Sequence, residues 1–417
     1  MIRIFQIALR NLLRYKRRTL LTSLLITFGI VLVILFSGLV GSFKSMMIGQ
    51  ITDSNLAQMQ IHKKGYVSSI DTMPLDLTLD KKKYQKIEQL LAGNSEVKAW
   101  APRIKLNAML SNFTDTTNIR LNAISPEKEI LVCPDVKNRM KFDKKRKTGI
   151  LLNQGEIIIP EKLAKGMKLK IGDAIVLVAN NKDGSVNGLN FKIAGIIETM
   201  LGPQGKEGYM HIKDARELLR MDKPEVIEVA ILLHDFNKLE KVYADLSLKL
   251  GEFINKKGKP AFEIHTWKKL SPFSNIAKMI DLMTIAMKVI MIAIVLISVL
   301  NVMMMSVYER VREIGTMSAL GTSPGRIMSL FLTEGFLLGF MSTIAGSIIG
   351  LSGIWALNIY KISISFGRQD NILLSPSVNL TELLWVSCIV LLISVFASLQ
   401  PAYKASRMEP VDALGHV

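Results

Sequence analysis

Four long apolar runs interrupt a chain that is otherwise polar. Thr19 to Phe43, Val289 to Tyr308 and Leu383 to Tyr403 carry no charged residue, and Ile327 to Tyr360 carries only Glu334. At a helical rise of about 1.5 Å per residue, each is long enough to cross about 30 Å of hydrocarbon. The pattern therefore predicts four transmembrane helices, over 19–43, 280–308, 327–357 and 383–403, with the remainder in water. Asp281 and Lys288 would be costly at bilayer depth, so they belong above the membrane. Ahead of the first run, Ile4, Ile7, Ala8, Leu12 and Leu13 recur at helical spacing, with Arg3, Arg10 and Arg14 elsewhere on the turn. That spacing predicts an amphipathic helix within 1–18 lying on the membrane surface. The first run is too long for a signal-peptide core and lacks a small-x-small cleavage pattern after it, so it reads as a retained span.

The segment 44–279 is one large aqueous region. Helical periodicity continues through Met46, Met47, Ile51 and Leu56, as if the first span extended into a stalk. Two similar halves follow at its ends. The first reads strand (57–61), helix (80–91), strand (97–103), and the second reads strand (226–233), helix (236–250), strand (261–265). Two such halves predict a ferredoxin-like α+β sandwich. Between them, over about 105–223, short β-branched runs dominate, such as 156–160, 174–179 and 191–197. Asp183-Gly184 supplies a hairpin turn signal between the last two. A β-rich insertion splitting a ferredoxin-like unit is the expectation. A second stalk leads from His265 into the next span.

Charge then orients the spans. The expected surface helix, the connection 309–326 and the tail 404–417 together hold about eleven Lys and Arg, against about two in the short loop 358–382. By the positive-inside rule both termini are cytoplasmic and the region 44–279 is outside. The formal net charge of +18 would ordinarily raise nucleic-acid binding. No basic stretch is interleaved with stacking aromatics, however, and the middle region alone accounts for roughly +12. The two cysteines, Cys133 and Cys388, fall in different regions and form no disulfide framework, and the histidines show no metal-ligand spacing. No GxxxxGK[ST] loop is present to cradle nucleotide phosphates, and no nucleophile–base set is spaced for catalysis.

The most informative stretch is Asn301 to Gly321, NVMMMSVYERVREIGTMSALG. The uncharged run ends at Tyr308, and Glu309, Arg310, Arg312 and Glu313 follow within five residues. Glu309 and Glu313 sit one turn apart on a predicted short helix that Gly321 ends. Ser323 and Pro324 read as N-cap and first residue of the next helix. Asn301 in mid-span and Glu334 just inside the third span are the polar exceptions. Asn301 suits a hydrogen bond to another helix, whereas Glu334 could face the elbow or snorkel. Small residues at Gly335, Gly339, Ser342, Gly346 and Gly350 suit close packing on the second or fourth span.

The string ERVREIGTMSALG, together with QIHKKGY at 60–66 and PAYKASRMEPVDAL at 401–414, resembles ABC-transporter permeases of the MacB/FtsX superfamily, and within it the Lol-type lipoprotein-releasing permeases. The resemblance spans almost the whole chain. It implies that the elbow is a coupling helix docking on a separate cytoplasmic ATPase, which binds ATP and Mg itself, so this chain is not an enzyme. Glu309, Arg310, Arg312, Glu313, Ala319, Leu320 and Gly321 match that motif position by position. By similarity, Phe36, Leu39, Phe43, Met46 and Met47 of the first helix, with Met287 and Met291 of the second, are candidates for a cavity that takes lipoprotein acyl chains, since methionine surfaces adapt to varied apolar partners.

The implied mechanism is mechanical. Two ATPases close, the coupling helices move, and the stalks carry the motion to the periplasmic domains. A second permease copy or paralogue, membrane lipids and a lipoprotein substrate are the implied partners. A periplasmic lipoprotein chaperone is a further one, although the hairpin 180–190, which matches a chaperone-hooking loop in one Lol-type subunit, is short here and lacks proline. The setting implied is the cell inner membrane. The alternatives are a MacB-like tripartite exporter, an FtsX-like regulator, or a membrane sensor without transport.

Overall fold

A computed structural model describes residues 2–142, 151–198, 207–221, 223–255, 258–360, 363–366 and 369–409. Lys361, Arg368 and the end of the C-terminal string, from residue 410, lie outside the described residues. The chain forms two compact units, one of membrane-length helices and one built on a sheet.

In the helical unit, four helices among the described residues are long and apolar enough to cross a membrane. The first runs over Lys16–Ile51, the second over Phe273–Glu309, the third over Pro324–Tyr360 and the fourth over Leu380–Ser406. The first two overrun the apolar segments read from sequence, by turns that carry the ion pair Lys44 Nζ–Asp281 Oδ1 at 2.5 Å. Lys288 pairs with Glu382. A separate helix, Ile2–Arg14, precedes the first span. It buries Ala8 and Leu12 in the same core as Ile30, Val299 and Phe331.

The third span is the hub of this unit, and glycine makes it so. A Cβ on Gly335 would lie 1.8 Å from Ser398 Oγ, and one on Gly339 would lie 2.6 Å from Ser394 Cβ. Both contacts are closer than any side chain allows, so the glycines let the fourth span approach to backbone distance. Gly346 and Gly350 do the same for Ile30 and Ile34 of the first span. The fourth span is therefore one of the expected partners, but the first span takes the place proposed for the second. Asn301 also departs from expectation. It is exposed on the outer face of the second span rather than turned to a neighbouring helix. In the connection 358–382, read from sequence as a loop, Ser363–Phe366 and Gln369–Leu373 pair as a small hairpin.

Among its described residues the sheet unit holds ten paired strands: β1 (Met59–Lys63), β2 (Val97–Ser111), β3 (Thr116–Ile124), β4 (Met140–Phe142), β5 (Glu156–Pro160), β6 (Ala174–Asn180), β7 (Val186–Ile197), β8 (Glu207–His211), β9 (Glu228–Leu233) and β10 (Phe262–Thr266). Four of them lie in the order β10-β1-β9-β2, all antiparallel. With helices Lys81–Ala92 and Leu239–Gly251 as the crossovers, this is the ferredoxin-like arrangement. Asp80 caps the first of these helices by accepting from the Lys83 amide at 2.8 Å. The insertion does not form a separate sheet. Strand β2 runs on past Lys105, pairs with β3 and β6, and carries the ladder through β8, β5, β7 and β4. Pairing across β2 removes what would otherwise be an open sheet edge.

The junction between sandwich and insertion holds a buried ionic cluster that sequence reading did not find. Arg103 on β2 donates to both oxygens of Glu129, at 2.6 and 3.0 Å, and to Glu228 on β9 at 2.8 Å. Lys105 lies 3.5 Å and His62 3.4 Å from Glu228. All five side chains are almost wholly buried. Burial alone would raise the Glu228 carboxyl, but Lys105, the His62 hydrogen bond and Arg103 outweigh it and hold the group well below the ordinary glutamate range. Burial pushes the nearby Cys133 thiol up to about 12. Both cysteines are free.

Candidate coupling elbow and apolar groove

The second span ends at Glu309, and the helical path breaks at Arg310, whose φ and ψ are −113° and 16°. The elbow helix then runs over Val311–Ala319. Glu309 and Glu313 thus lie on two different helices, not one turn apart on the same one. At this break the Arg310 side chain turns inward. Its Nη1 donates to Glu334 Oε1 at 2.8 Å, its Nε donates to Glu313 Oε2 at 3.0 Å, and its guanidinium lies 5.5 Å from the Phe331 ring centroid. Glu334 also accepts from Asn11 Nδ2 at 2.8 Å, while Arg14 Nη1 reaches Glu313 at 3.5 Å. Five polar residues from the surface helix, the elbow and the third span are thereby joined.

The far end of the elbow is a full Schellman turn. Gly321 has φ +81°, the Gly321 amide bonds the Ser318 carbonyl, and the Thr322 amide bonds the Met317 carbonyl, each at 3.0 Å. Only glycine adopts that φ without strain, which explains its place after the helix. The helix buries Ile314 and Gly315 and exposes Arg312, Thr316, Ala319 and Leu320, the last 82% accessible. Leu320 thus stands exposed beside the small Ala319, at the end of a helix fixed at both ends. Of the seven candidates, Glu309, Arg312, Ala319, Leu320 and Gly321 are exposed and Glu313 is half-buried. Arg310, at 3% exposure, belongs to the interior. Sequence pattern could not separate these roles, because Arg310 and Arg312 look alike until the helix break is known.

The acyl-chain candidates are only partly brought together. Phe36, Leu39 and Phe43 line one apolar groove with Val40, Ile280, Met283 and Leu374, of about 360 Å³. Met291 lines a different, smaller cavity of about 100 Å³ with Gly29, Ile30, Val33 and Val295. Met287 lines neither cavity, and Met47 is buried. Met46 and Met47 lie beyond the helical unit. Ile280 and Met283, on the second long helix, and Leu374 were missed because only the packed bundle brings them against Phe36, Leu39 and Phe43 on the first, which sequence spacing does not show. No cluster of three or more potential metal ligands occurs among the described residues.

The MacB-like periplasmic core domain matches residues 19–247, and the FtsX-like permease C-terminal region matches residues 285–410. The chain is similar to the lipoprotein-releasing system transmembrane protein LolC of Neisseria meningitidis serogroup B, at 23% identity over 93% of this chain and 92% of that one. It is similar to the LolE protein of Haemophilus influenzae at 22% identity, over 79% and 80% of the two chains. It also resembles the macrolide export ATP-binding/permease protein MacB of Nitrobacter winogradskyi, at 25% identity over 55% of this chain and 34% of that protein.

Proposed function

The chain belongs to the FtsX-like permeases with a MacB-like periplasmic core domain, and from that premise we propose that it is the permease subunit of an ABC transporter that extracts lipoproteins from the inner membrane. The observation that carries this reading is the apolar groove lined by Phe36, Leu39, Phe43, Ile280 and Met283 within the membrane-length helices. Its size lies in the range of ligand sites, and its lining is almost wholly apolar, as an acyl chain requires. A separate cytoplasmic subunit binds ATP and Mg and hydrolyses the ATP. That subunit docks on the exposed face of the elbow around Arg312, Ala319 and Leu320, with both termini of this chain on the same side.

The motion passes mechanically. The buried Arg310–Glu334 pair ties the elbow to the third span, so displacement of Val311–Ala319 is carried into the bundle rather than absorbed by a loose loop. The second span leads on toward the periplasmic domain as a stalk. A second permease, identical or paralogous, completes the transporter. The exposed Asn301 on an otherwise apolar helix favours this arrangement, because an amide facing lipid gains a partner when a second copy covers it. A chaperone receiving the lipoprotein on the periplasmic side completes the route.

The second reading is a MacB-like exporter working with an adaptor, favoured by the similarity to a macrolide export protein. The two separate in one experiment. The chain is purified with its co-expressed ATPase from native membranes, and the proteins and lipids that accompany it are identified by mass spectrometry. Triacylated lipoproteins that leave on ATP addition are expected. An adaptor without lipoproteins would establish the exporter reading in its place. In the same preparation, Leu320→Arg should abolish ATPase association, and its retention would refute the docking face.

A further inference from the structure

The surface helix Ile2–Arg14 presents two apolar faces, not one. Ala8 and Leu12 are buried against the core, while Phe5, Leu9 and Leu13 form a separate exposed stripe at helical spacing, 36–57% accessible. Beyond a corner held by Thr19 Oγ1 donating to the Leu12 carbonyl at 2.8 Å, the exposed face of the first span begins with Leu20, Leu21 and Leu24. The exposed stripe therefore joins a surface that faces lipid. Arg10, Lys16 and Arg17 are exposed beside it, Arg14 is exposed but reaches Glu313, and no acidic residue occurs in 1–18. Apolar side chains flanked by positive charge, with no acidic residue on the helix itself, fit one occupant, an anionic bilayer surface, where each Lys or Arg gains roughly fivefold in partition.

The same helix is wired to the elbow. Asn11 and Arg14 lie on it one turn apart, and they reach Glu334 and Glu313, the two carboxylates that Arg310 bridges. We propose that helix Ile2–Arg14 docks on anionic lipid, and that the Asn11–Glu334–Arg310–Glu313–Arg14 network transmits this docking to the elbow, so that the elbow is held in its docking geometry only when the adjoining leaflet is anionic. When the helix leaves the surface, Glu334 loses one of its two donors and Glu313 loses one of its two cations, and the elbow helix loosens. This inference concerns the chain and its membrane alone. It does not depend on the identity of the cargo or on an ATPase being present.

The test places the full chain, with Cys388→Ser, in nanodiscs of phosphatidylcholine alone or with phosphatidylglycerol added. A nitroxide at Leu320→Cys reports the elbow, and one at Gln6→Cys reports exposure of the surface helix to a water-soluble relaxation agent. With anionic lipid, the Gln6 label should become protected, and the rotational correlation time at Leu320 should rise by about twofold or more. High salt should reverse both effects. Arg10→Gln with Lys16→Gln and Arg17→Gln, all exposed positions, should remove both responses. Asn11→Leu with Arg14→Gln should keep part of the Gln6 response and lose the Leu320 response. A Gln6 label indifferent to lipid charge would overturn the docking. A protected Gln6 label with an unchanged Leu320 signal, or a Leu320 response that survives Asn11→Leu with Arg14→Gln, would overturn the transmission.

Discussion

The Arg310–Glu334 pair gives the sharpest test of how the elbow is held. Both side chains are nearly inaccessible, at 3% and 1% exposure. Removing one partner from such a pair leaves an uncompensated charge and costs about 3–5 kcal/mol. Replacing both with apolar residues of similar volume is often close to neutral. Arg310→Met alone and Glu334→Leu alone should therefore each destabilise the elbow, whereas the double variant should recover most of the loss. The bystanders allow this recovery. Glu313 remains 41% exposed and keeps Arg14 nearby, and Asn11 is only half-buried, so each finds water. At about 1.36 kcal/mol per tenfold, each single variant should speed amide exchange across residues 311–319 by up to about 10²–10³-fold. The double variant should stay within about tenfold of the parent, a coupling energy of about 4 kcal/mol if each single variant costs about 10²-fold. Hydrogen exchange with mass spectrometry on the full chain in nanodiscs reads all three. Additive effects, or single variants that change exchange by less than about threefold, would show that the ion pair does not fix the elbow.

Three further outcomes follow from other parts of the molecule. Gly339→Leu should prevent the third and fourth spans from packing, because even a Cβ meets Ser394; the loss should exceed the 1–3 kcal/mol of ordinary overpacking and appear as rapid proteolysis in detergent, and a protease-resistant variant would contradict the close approach. Glu228, held below the ordinary glutamate range, contributes stability that is full above about pH 4.3 and is lost as pH falls through its folded value. The thermal midpoint of the sheet unit should accordingly fall below about pH 4 in the parent. It should fall less steeply in Glu228→Gln, which starts about 3 kcal/mol or more lower at neutral pH because Arg103 and Lys105 lose their counter-charge. Leu39→Trp should fill the apolar groove and cut lipoprotein co-purification by about tenfold while leaving ATPase association unchanged; equal loss of both would mean that the variant misfolds rather than blocks.

What sequence disclosed here divides by the range of the interaction that encodes it. The four spans, the two βαβ halves and Gly321 are written in local periodicity and turn chemistry, and each was legible from a short window. The split sandwich was legible as well, because its halves each carry the full strand–helix–strand pattern. Its insertion was legible only as β-rich. That β2 continues straight through Lys105 into a single ten-stranded sheet depends on pairing with β3, β6 and β9, and no window of sequence contains those partners. The same limit explains Arg310. Its neighbours predict a charged, solvated helix, but its partner Glu334 lies 24 residues away, and Asn11, which also donates to Glu334, lies 323 residues from that carboxylate. Only the folded bundle brings three separate elements close enough to make one arginine structural and leave Arg312 for the surface. The buried Arg103–Glu129–Glu228 cluster follows the same logic, with 125 residues between Arg103 and Glu228. A charge in an aqueous region is read by default as solvated, and what reverses that reading is burial, which is a property of the tertiary fold. The elbow motif therefore marks an exposed stretch of chain, while which of its charges turn inward is decided by partners that only the tertiary fold supplies.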